Sequence, residues 1–185
     1  PAYKVASADL TNLELLGKLA MTKKPLILST GMSKVEEVEF SLKFLSQKKV
    51  DFALLHCNST YPAPVEDINL RWIKSLEKMH PIIGYSGHER GINISIAAVA
   101  LGAKIIERHF TLDRNMEGPD HAASLEFKEF SKLVKGIREV ERSLGTDRER
   151  VLSQGEMINR ENLGKSLVAS EDLKKGTLLK KTHIK

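Results

Sequence analysis

Three of the six histidines in this chain close apolar runs, and those runs are where its chemistry is expected. They are Phe52-Ala53-Leu54-Leu55-His56, Ile82-Ile83-Gly84-Tyr85-Ser86-Gly87-His88 and Lys104-Ile105-Ile106-Glu107-Arg108-His109. Such runs read as buried strands whose last residues emerge at the edge of a sheet. Three of them ending in histidine, with helical segments between, predict one polar site at the carboxyl edge of a parallel sheet. Two imidazoles from adjacent strands can share a divalent metal such as Mn²⁺ or Zn²⁺ and leave coordination positions open for water or substrate. His88 and His109, at equivalent points of neighbouring strands, are the expected pair. His56 ends its run one residue before Cys57 and stays open between the site and the interior. His80 and His183 read as solvated.

Other polar residues fall at strand exits. Lys4 and Ser7 bracket the first, where an ammonium and a hydroxyl could hold a phosphate or carboxylate, although Lys4 also fits an ordinary strand start. Asp9 and Asp120 suit general acid/base work or acceptance of a polyol's hydroxyls, and Asp9 suits a cap on the helix that follows. Glu107 alternates inward with Ile105 and His109, which suits a supporting carboxylate or a buried ion pair. Tyr61, in the stiff loop Tyr61-Pro62-Ala63-Pro64, could wall a pocket. No motif around Cys57 supports activation of a nucleophile, and it reads as packing.

The elements that must position these residues alternate regularly. Strand candidates Tyr3 to Ala6, Pro25 to Ser29, Phe52 to His56, Ile82 onward and Lys104 to His109 are each followed by a helical pattern. Helices are predicted from about Asn12 to Ala20, after a Ser33/Glu36 capping box, from Asn69 to Met79, from Ile92 to Leu101, and from Glu126 to Leu144. The fourth helix is almost wholly apolar and is expected to be closely packed. Five βα units in strict alternation mean a parallel sheet, either open and doubly wound or part of a barrel. No Gly-x-Gly-x-x-Gly follows any strand, and every strand exit is polar, which favours a barrel face that gathers residues from many strands. From Thr146 the composition changes. Residues 146–165 read as a linker, and 166–185 as the start of a small β-rich module, with strands expected at Ser166 to Ala169 and again after a turn at Leu173 to Leu179.

Composition sets the outer limits. With 185 residues, 41% hydrophobic and 29% charged, disorder is not expected. A net charge of +5 suits an anionic ligand. The lysines are dispersed, with few aromatics among them, so nucleic acid is not the expected partner. A single cysteine fits a reducing, cytoplasmic setting. No apolar run approaches the roughly 20 residues that cross a bilayer, and no membrane association is expected.

Several stretches together resemble one family. They are Ser29-Thr30-Gly31-Met32, His56-Cys57 followed by Tyr61-Pro62, Gly84-Tyr85-Ser86-Gly87-His88, Ala97 to Ala103, Glu107-Arg108-His109-Phe110-Thr111-Leu112-Asp113 and Gly118-Pro119-Asp120-His121-Ala122-Ala123-Ser124-Leu125-Glu126. In this order they look like the sialic acid synthase (N-acetylneuraminate synthase) family. The resemblance implies an α/β fold, a partial (β/α)₈ TIM barrel holding strands four to eight over residues 1–145. The beginning of an antifreeze-like (SAF) domain would follow at 166–185. It implies condensation of phosphoenolpyruvate with an N-acetylated amino sugar, typically N-acetylmannosamine, and release of phosphate. His88 and His109 match the ligands of a divalent metal, usually Mn²⁺ with Mg²⁺ as the other candidate, and with Asp9 they form the catalytic set. Lys4, Ser7 and Ser86 match positions that hold phosphoenolpyruvate, with Asn58 or Ser59 contributing. Tyr61 and Asp120 match the acceptor-sugar side. Ala8 departs from the glycine common in the family. The resemblance also implies a domain-swapped homodimer in the full-length protein and an isolated chain that is inactive. Synthesis of legionaminic or pseudaminic acid is the alternative within the family. A metal-dependent barrel hydrolase or aldolase, and a non-catalytic carbohydrate-binding module, are the alternatives outside it.

Overall fold

A computed structural model describes all residues, Pro1–Lys185. They fall into two compact units, Pro1–Gly145 and Thr146–Lys185. In the first, strands β1 (Tyr3–Val5), β2 (Leu26–Ser29), β3 (Phe52–Cys57), β4 (Ile83–Gly87) and β5 (Ile105–Arg108) lie side by side in sequence order. All four pairings are parallel. Helices α1 (Leu13–Met21), α2 (Val35–Lys48), α3 (Trp72–Glu77), α4 (Asn93–Ala100) and α5 (Phe127–Leu144) follow the strands in turn. Five parallel strands in unbroken order make a half-barrel, the partial (β/α)₈ architecture that the resemblance implies and one of the two that the alternation allows.

Side chains alternate across a strand, so the register sorts residues onto two faces. Leu26, Leu28 and Leu54 point into the helical layer and are completely buried there with Leu16, Leu45, Ile73 and Leu76. Each such burial contributes about 1.5–3 kcal/mol. The concave face is built in rows. Ile27 pairs with Ala53, and Leu55 stands between Ser29 and Gly84, with Ile105 beyond. Nearer the carboxyl edge, Cys57, Ser86 and Glu107 form the next row. The concave face is therefore apolar towards the amino end, where Ile27, Ala53 and Ile105 line a groove of about 550 Å³, and polar at the carboxyl edge.

Local chemistry departs from the sequence reading in several places. Asp9 lies in a short 3-10 turn and does not cap α1, because Asn12 takes that role and accepts from the Leu15 N–H at 3.1 Å. The box on α2 sits one residue later than predicted, with the Lys34 N–H donating to Glu37 at 2.7 Å. The apolar α4 buries Ser95, Ala98 and Val99 and leaves Ile94 and Ile96 only half-buried.

Within Thr146–Lys185, the stretch read as a linker contains a capped helix, α6 (Gln154–Leu163). Ser153 and Glu156 bond each other's backbone N–H groups at its start. The β pairing in this unit joins Val168–Ser170 to His183–Lys185. The strand expected near Leu178 and Leu179 does not form; both side chains are exposed there after a turn closed by Thr177 and Lys174.

Candidate active site at the carboxyl edge of the half-barrel

Ser86 and Glu107 are register partners, and each lies two residues before a histidine. His88 and His109 therefore continue the same concave face one row further out. Their rings meet edge to face, with centroids 5.2 Å apart and planes inclined by 74°. The loop after β3 reaches across to them. Tyr61 sets its ring 4.1 Å from His88 and 5.6 Å from His109, and the Ala63 N–H donates to the His88 carbonyl at 3.1 Å. His109 is held from the other side, its carbonyl accepting from the Leu125 N–H at 2.9 Å.

Hydrogen bonding sets the tautomer of His88. Nδ1 lies 2.6 Å from the Asn58 carbonyl oxygen, which can only accept, so Nδ1 carries the proton and Nε2 keeps a lone pair. In His109, Nδ1 faces the Asp120 carboxylate at 3.7 Å. His88 thus commits Nδ1 to the protein and keeps Nε2 free, as metal-binding imidazoles typically do, while His109 faces Asp120 without hydrogen-bonding it and has neither ring nitrogen committed. No cluster of three or more His, Cys, Asp or Glu completes a closed ligand cage. The two imidazoles fit a divalent ion whose remaining positions are open.

Below the histidines sits a group of small polar side chains. The Ser7 hydroxyl accepts from the Gly31 N–H at 3.1 Å and lies 3.6 Å from the Cys57 sulfur. Ser59 Oγ is 3.8 Å from the same sulfur. Gly31 is what lets these groups converge. A Cβ there would fall 2.2 Å from Ser59 Oγ and 2.8 Å from Ser7 Oγ, so a side chain would occupy the space the hydroxyls share. The Ser86 hydroxyl donates to Glu107 at 2.7 Å, and the same carboxylate oxygen is 3.6 Å from the Lys4 ammonium.

The ionisation of the buried pair is mutually biased. Burial pushes the Cys57 thiol up, but contacts from His88, Ser7 and Ser59 outweigh it and bring the thiol below its ordinary value. Burial works against the His88 cation, but the Cys57 sulfur and the Asn58 carbonyl leave its pKa raised. Tyr61 is pushed up by burial and then by the negative charges of Cys57, Asp120 and Glu107.

The structure brings Lys4, Ser7, Ser59, Tyr61, Ser86, His88, His109 and Asp120 to this edge. It does not bring Asp9 into contact with the histidines, and the Asp9 carboxylate makes no side-chain hydrogen bond. Of the two loop candidates, Asn58 spends its side chain on the loop itself, donating to the Asp67 carbonyl and accepting from the Thr60 N–H. Ser59 is the one whose hydroxyl joins Ser7. His56, left open between the site and the interior by the sequence, lies in the interior. Its strand runs on to Cys57, so alternation turns His56 to the opposite face, where Nε2 bonds the Ile68 carbonyl at 2.6 Å. A cleft of about 650 Å³ opens beside it, lined among others by Lys34, His56, Arg71 and Trp72. That cleft contains neither His88 nor His109, so the converging imidazoles and hydroxyls place the candidate site on the open edge. Gly31 was missed as a site residue, although its place at a strand exit between Thr30 and Met32 was the available signal.

Comparison with known proteins identifies the family. Residues 1–149 match the NeuB family. The chain is 45% identical over 186 residues to the N,N'-diacetyllegionaminic acid synthase of Campylobacter jejuni, covering 98% of this chain and 55% of the relative. It is 45% identical over 181 residues to human N-acetylneuraminate-9-phosphate synthase, covering 97% and 50% respectively. Among solved structures, the N-acetylneuraminic acid synthetase of Leptospira borgpetersenii, determined with citrate, superposes with a TM-score of 0.78 at 38% identity, covering 88% of this chain and 58% of that one. The chain thus spans about half the length of the curated relatives it matches. With a family match over most of its length and relatives this similar, the chain belongs to the NeuB family.

Proposed function

We propose that this edge is the carboxyl-terminal half of a synthase active site that joins phosphoenolpyruvate to an N-acetylated amino sugar and water, releasing phosphate. The observation that carries the reading is the His88–His109 pair, both Nε2 atoms open, set above the hydroxyls of Ser7, Ser59 and Ser86. N-acetylmannosamine is the acceptor we favour, giving a sialic acid. The 45% identity to a legionaminic acid synthase supports a diamino sugar as the second reading.

A divalent ion, Mn²⁺ or Mg²⁺, held by the two Nε2 atoms would supply positive charge to polarise the acceptor's aldehyde oxygen. Everything else falls to the chain's own side chains. The Lys4 ammonium and the Ser7 and Ser59 hydroxyls hold the phosphate and carboxylate of phosphoenolpyruvate. Ser86, its proton committed to Glu107, presents an oxygen and not a proton to the substrate. The enol carbon attacks the aldehyde carbon, water adds at the adjacent carbon, and the C–O bond to phosphate breaks. Asp9, in the same 3-10 turn as Ser7, is assigned to the developing positive centre. Tyr61 packs the acceptor against the histidines, and Asp120 accepts from a sugar hydroxyl. We assign a domain-swapped homodimer and a cytoplasmic location to the full-length protein; no helix in this chain is long and apolar enough to cross a membrane.

The test is phosphate release from phosphoenolpyruvate with Mn²⁺ and a panel of N-acetylated and diamino sugars. It is run on this chain and on one completed with the amino-terminal strands and carboxyl-terminal segment of a relative. Release by the completed chain with one sugar, and none by the 185-residue chain, is the expected result. Release from either without any sugar would point to a hydrolase, and sugar binding that survives His88→Ala without phosphate release would point to a binding module.

A further inference from the structure

Directly behind the two histidines lies an ion pair that the reaction does not use. Glu89 follows His88 and Arg108 precedes His109, and both side chains are 0% exposed. Alternation sends them to the face away from substrate, where Arg108 Nη1 donates to Glu89 Oε1 at 2.9 Å, to the Gly91 carbonyl at 2.7 Å and to Ser95 Oγ at 3.1 Å. Its Nη2 donates to the backbone carbonyl of Glu89. The other carboxylate oxygen of Glu89 accepts from the Tyr85 hydroxyl at 2.7 Å. Space for this network depends on Gly87, where a Cβ would come within 2.8 Å of Glu89 Oε2 and 3.0 Å of Arg108 Cδ.

The topology of these bonds matters more than their number. Regular pairing of β4 and β5 ends at Gly87 and Arg108, one residue before each imidazole. Past that point no backbone hydrogen bond joins the two strand ends directly. Arg108 replaces the missing ladder, reaching from β5 to two carbonyls and a carboxylate of the 89–91 turn. A buried pair of this kind gains little net stability over apolar side chains of similar size, because both charges must be desolvated. What it adds is direction, since a planar guanidinium fork fixes the groups it bonds in angle as well as distance.

We propose that Glu89 and Arg108 are positioning residues for the histidine pair. They lock the ends of β4 and β5 so that the His88 and His109 rings stand at the separation a shared divalent ion requires. The metal part of this proposal rests on the reading given under Proposed function; the ring placement does not.

The test uses the full chain and two variants. Arg108→Lys keeps the charge but not the fork, and Glu89→Met/Arg108→Met removes both charges together, leaving no unpaired buried ion. In the metal-free wild type, the ring protons of His88 and His109 should show a mutual nuclear Overhauser effect. In Arg108→Lys this should weaken, and in the double variant disappear, while cross-peaks between β3 and β4 persist. Mn²⁺ affinity, followed by paramagnetic resonance, should fall about 10-fold and up to about 100-fold respectively, the range usual for loss of outer support of metal-bound histidine. If either variant fails to fold, the other decides. A folded variant with an unchanged ring-to-ring effect, or with wild-type Mn²⁺ affinity where the wild type binds, overturns the proposal. Wild-type chain that binds no Mn²⁺ sinks the metal reading alone, and the ring-to-ring measurement still judges the positioning.

Discussion

Lys4, on one edge strand of the sheet, and Glu107, on the other, lie 3.6 Å apart from Nζ to Oε1. Four strand spacings of about 4.8 Å would separate those edges by roughly 19 Å in a flat sheet, further than the two side chains reach together. The contact therefore requires the sheet to curl until its edges face one another across the concave side. It also sets a cation and a carboxylate at the place where an anionic substrate is proposed to bind.

That juxtaposition gives a prediction of opposite signs. Glu107 competes with a bound anion for Lys4, so Glu107→Gln should tighten phosphoenolpyruvate binding by about fivefold, and Lys4→Met should weaken it. Both groups are about one-third exposed, so folding stability should change by less than about 1 kcal/mol in either variant. Calorimetric titration with phosphoenolpyruvate measures the first and urea denaturation the second. Unchanged affinity in Lys4→Met would remove Lys4 from the anion site, and weakening by Glu107→Gln would contradict the competition.

Gly31→Ala puts a methyl group into the space shared by Ser7 and Ser59. Those hydroxyls end short, rotatable side chains, so the expected stability loss is only about 1 kcal/mol by thermal melting. Phosphoenolpyruvate affinity should fall at least tenfold, with Mn²⁺ binding unchanged. Undiminished phosphoenolpyruvate affinity would show that the Ser7–Ser59 group does not hold it.

His56 gives the fold an acid limit. Its pKa is lowered, chiefly by burial, with the bond to the Ile68 carbonyl only partly opposing. The unfolded chain, with histidine near 6.5, therefore takes up a proton before the folded one does. Stability is full above that value and falls as pH drops from 6.5 towards the depressed folded pKa. His56→Gln keeps a donor for Ile68 but cannot titrate there, so its urea midpoint should be flatter over that interval. An identical slope would assign the acid sensitivity elsewhere.

Tyr61 touches both histidines through its ring and not its hydroxyl. Tyr61→Phe should leave the KM for the acceptor sugar within about twofold in the completed synthase, and Tyr61→Ala should raise it about tenfold or more. The KM for phosphoenolpyruvate should stay unchanged in both. Loss of acceptor binding in Tyr61→Phe would shift the role to the hydroxyl.

Much of this was legible in the sequence, and each exception has its own physical origin. Runs such as Leu26 to Ser29 and Ile105 to Arg108 announce strands because a parallel sheet covered by helices needs apolar residues there, and the strict βα order leaves few topologies. The His88–His109 pairing follows from two runs ending alike. His56 stays open in the sequence because its apolar run stops one residue before Cys57, and only the register, which pairs it with Tyr85 and not with Ser86, decides its face. Asn12 and not Asp9 caps α1 because the chain first makes a 3-10 turn, a local choice that residue types alone do not specify. The Glu89–Arg108 bond joins residues 19 positions apart, and nothing in either neighbourhood names the partner.

His88 and His109 are proposed to form one divalent site with open positions at the carboxyl edge. Paramagnetic resonance titration of the 185-residue chain with Mn²⁺ decides whether it exists. A single bound ion is expected, lost in both His88→Ala and His109→Ala and retained in His56→Gln. Binding that is absent in the wild type, or unaffected by either alanine substitution, would contradict it.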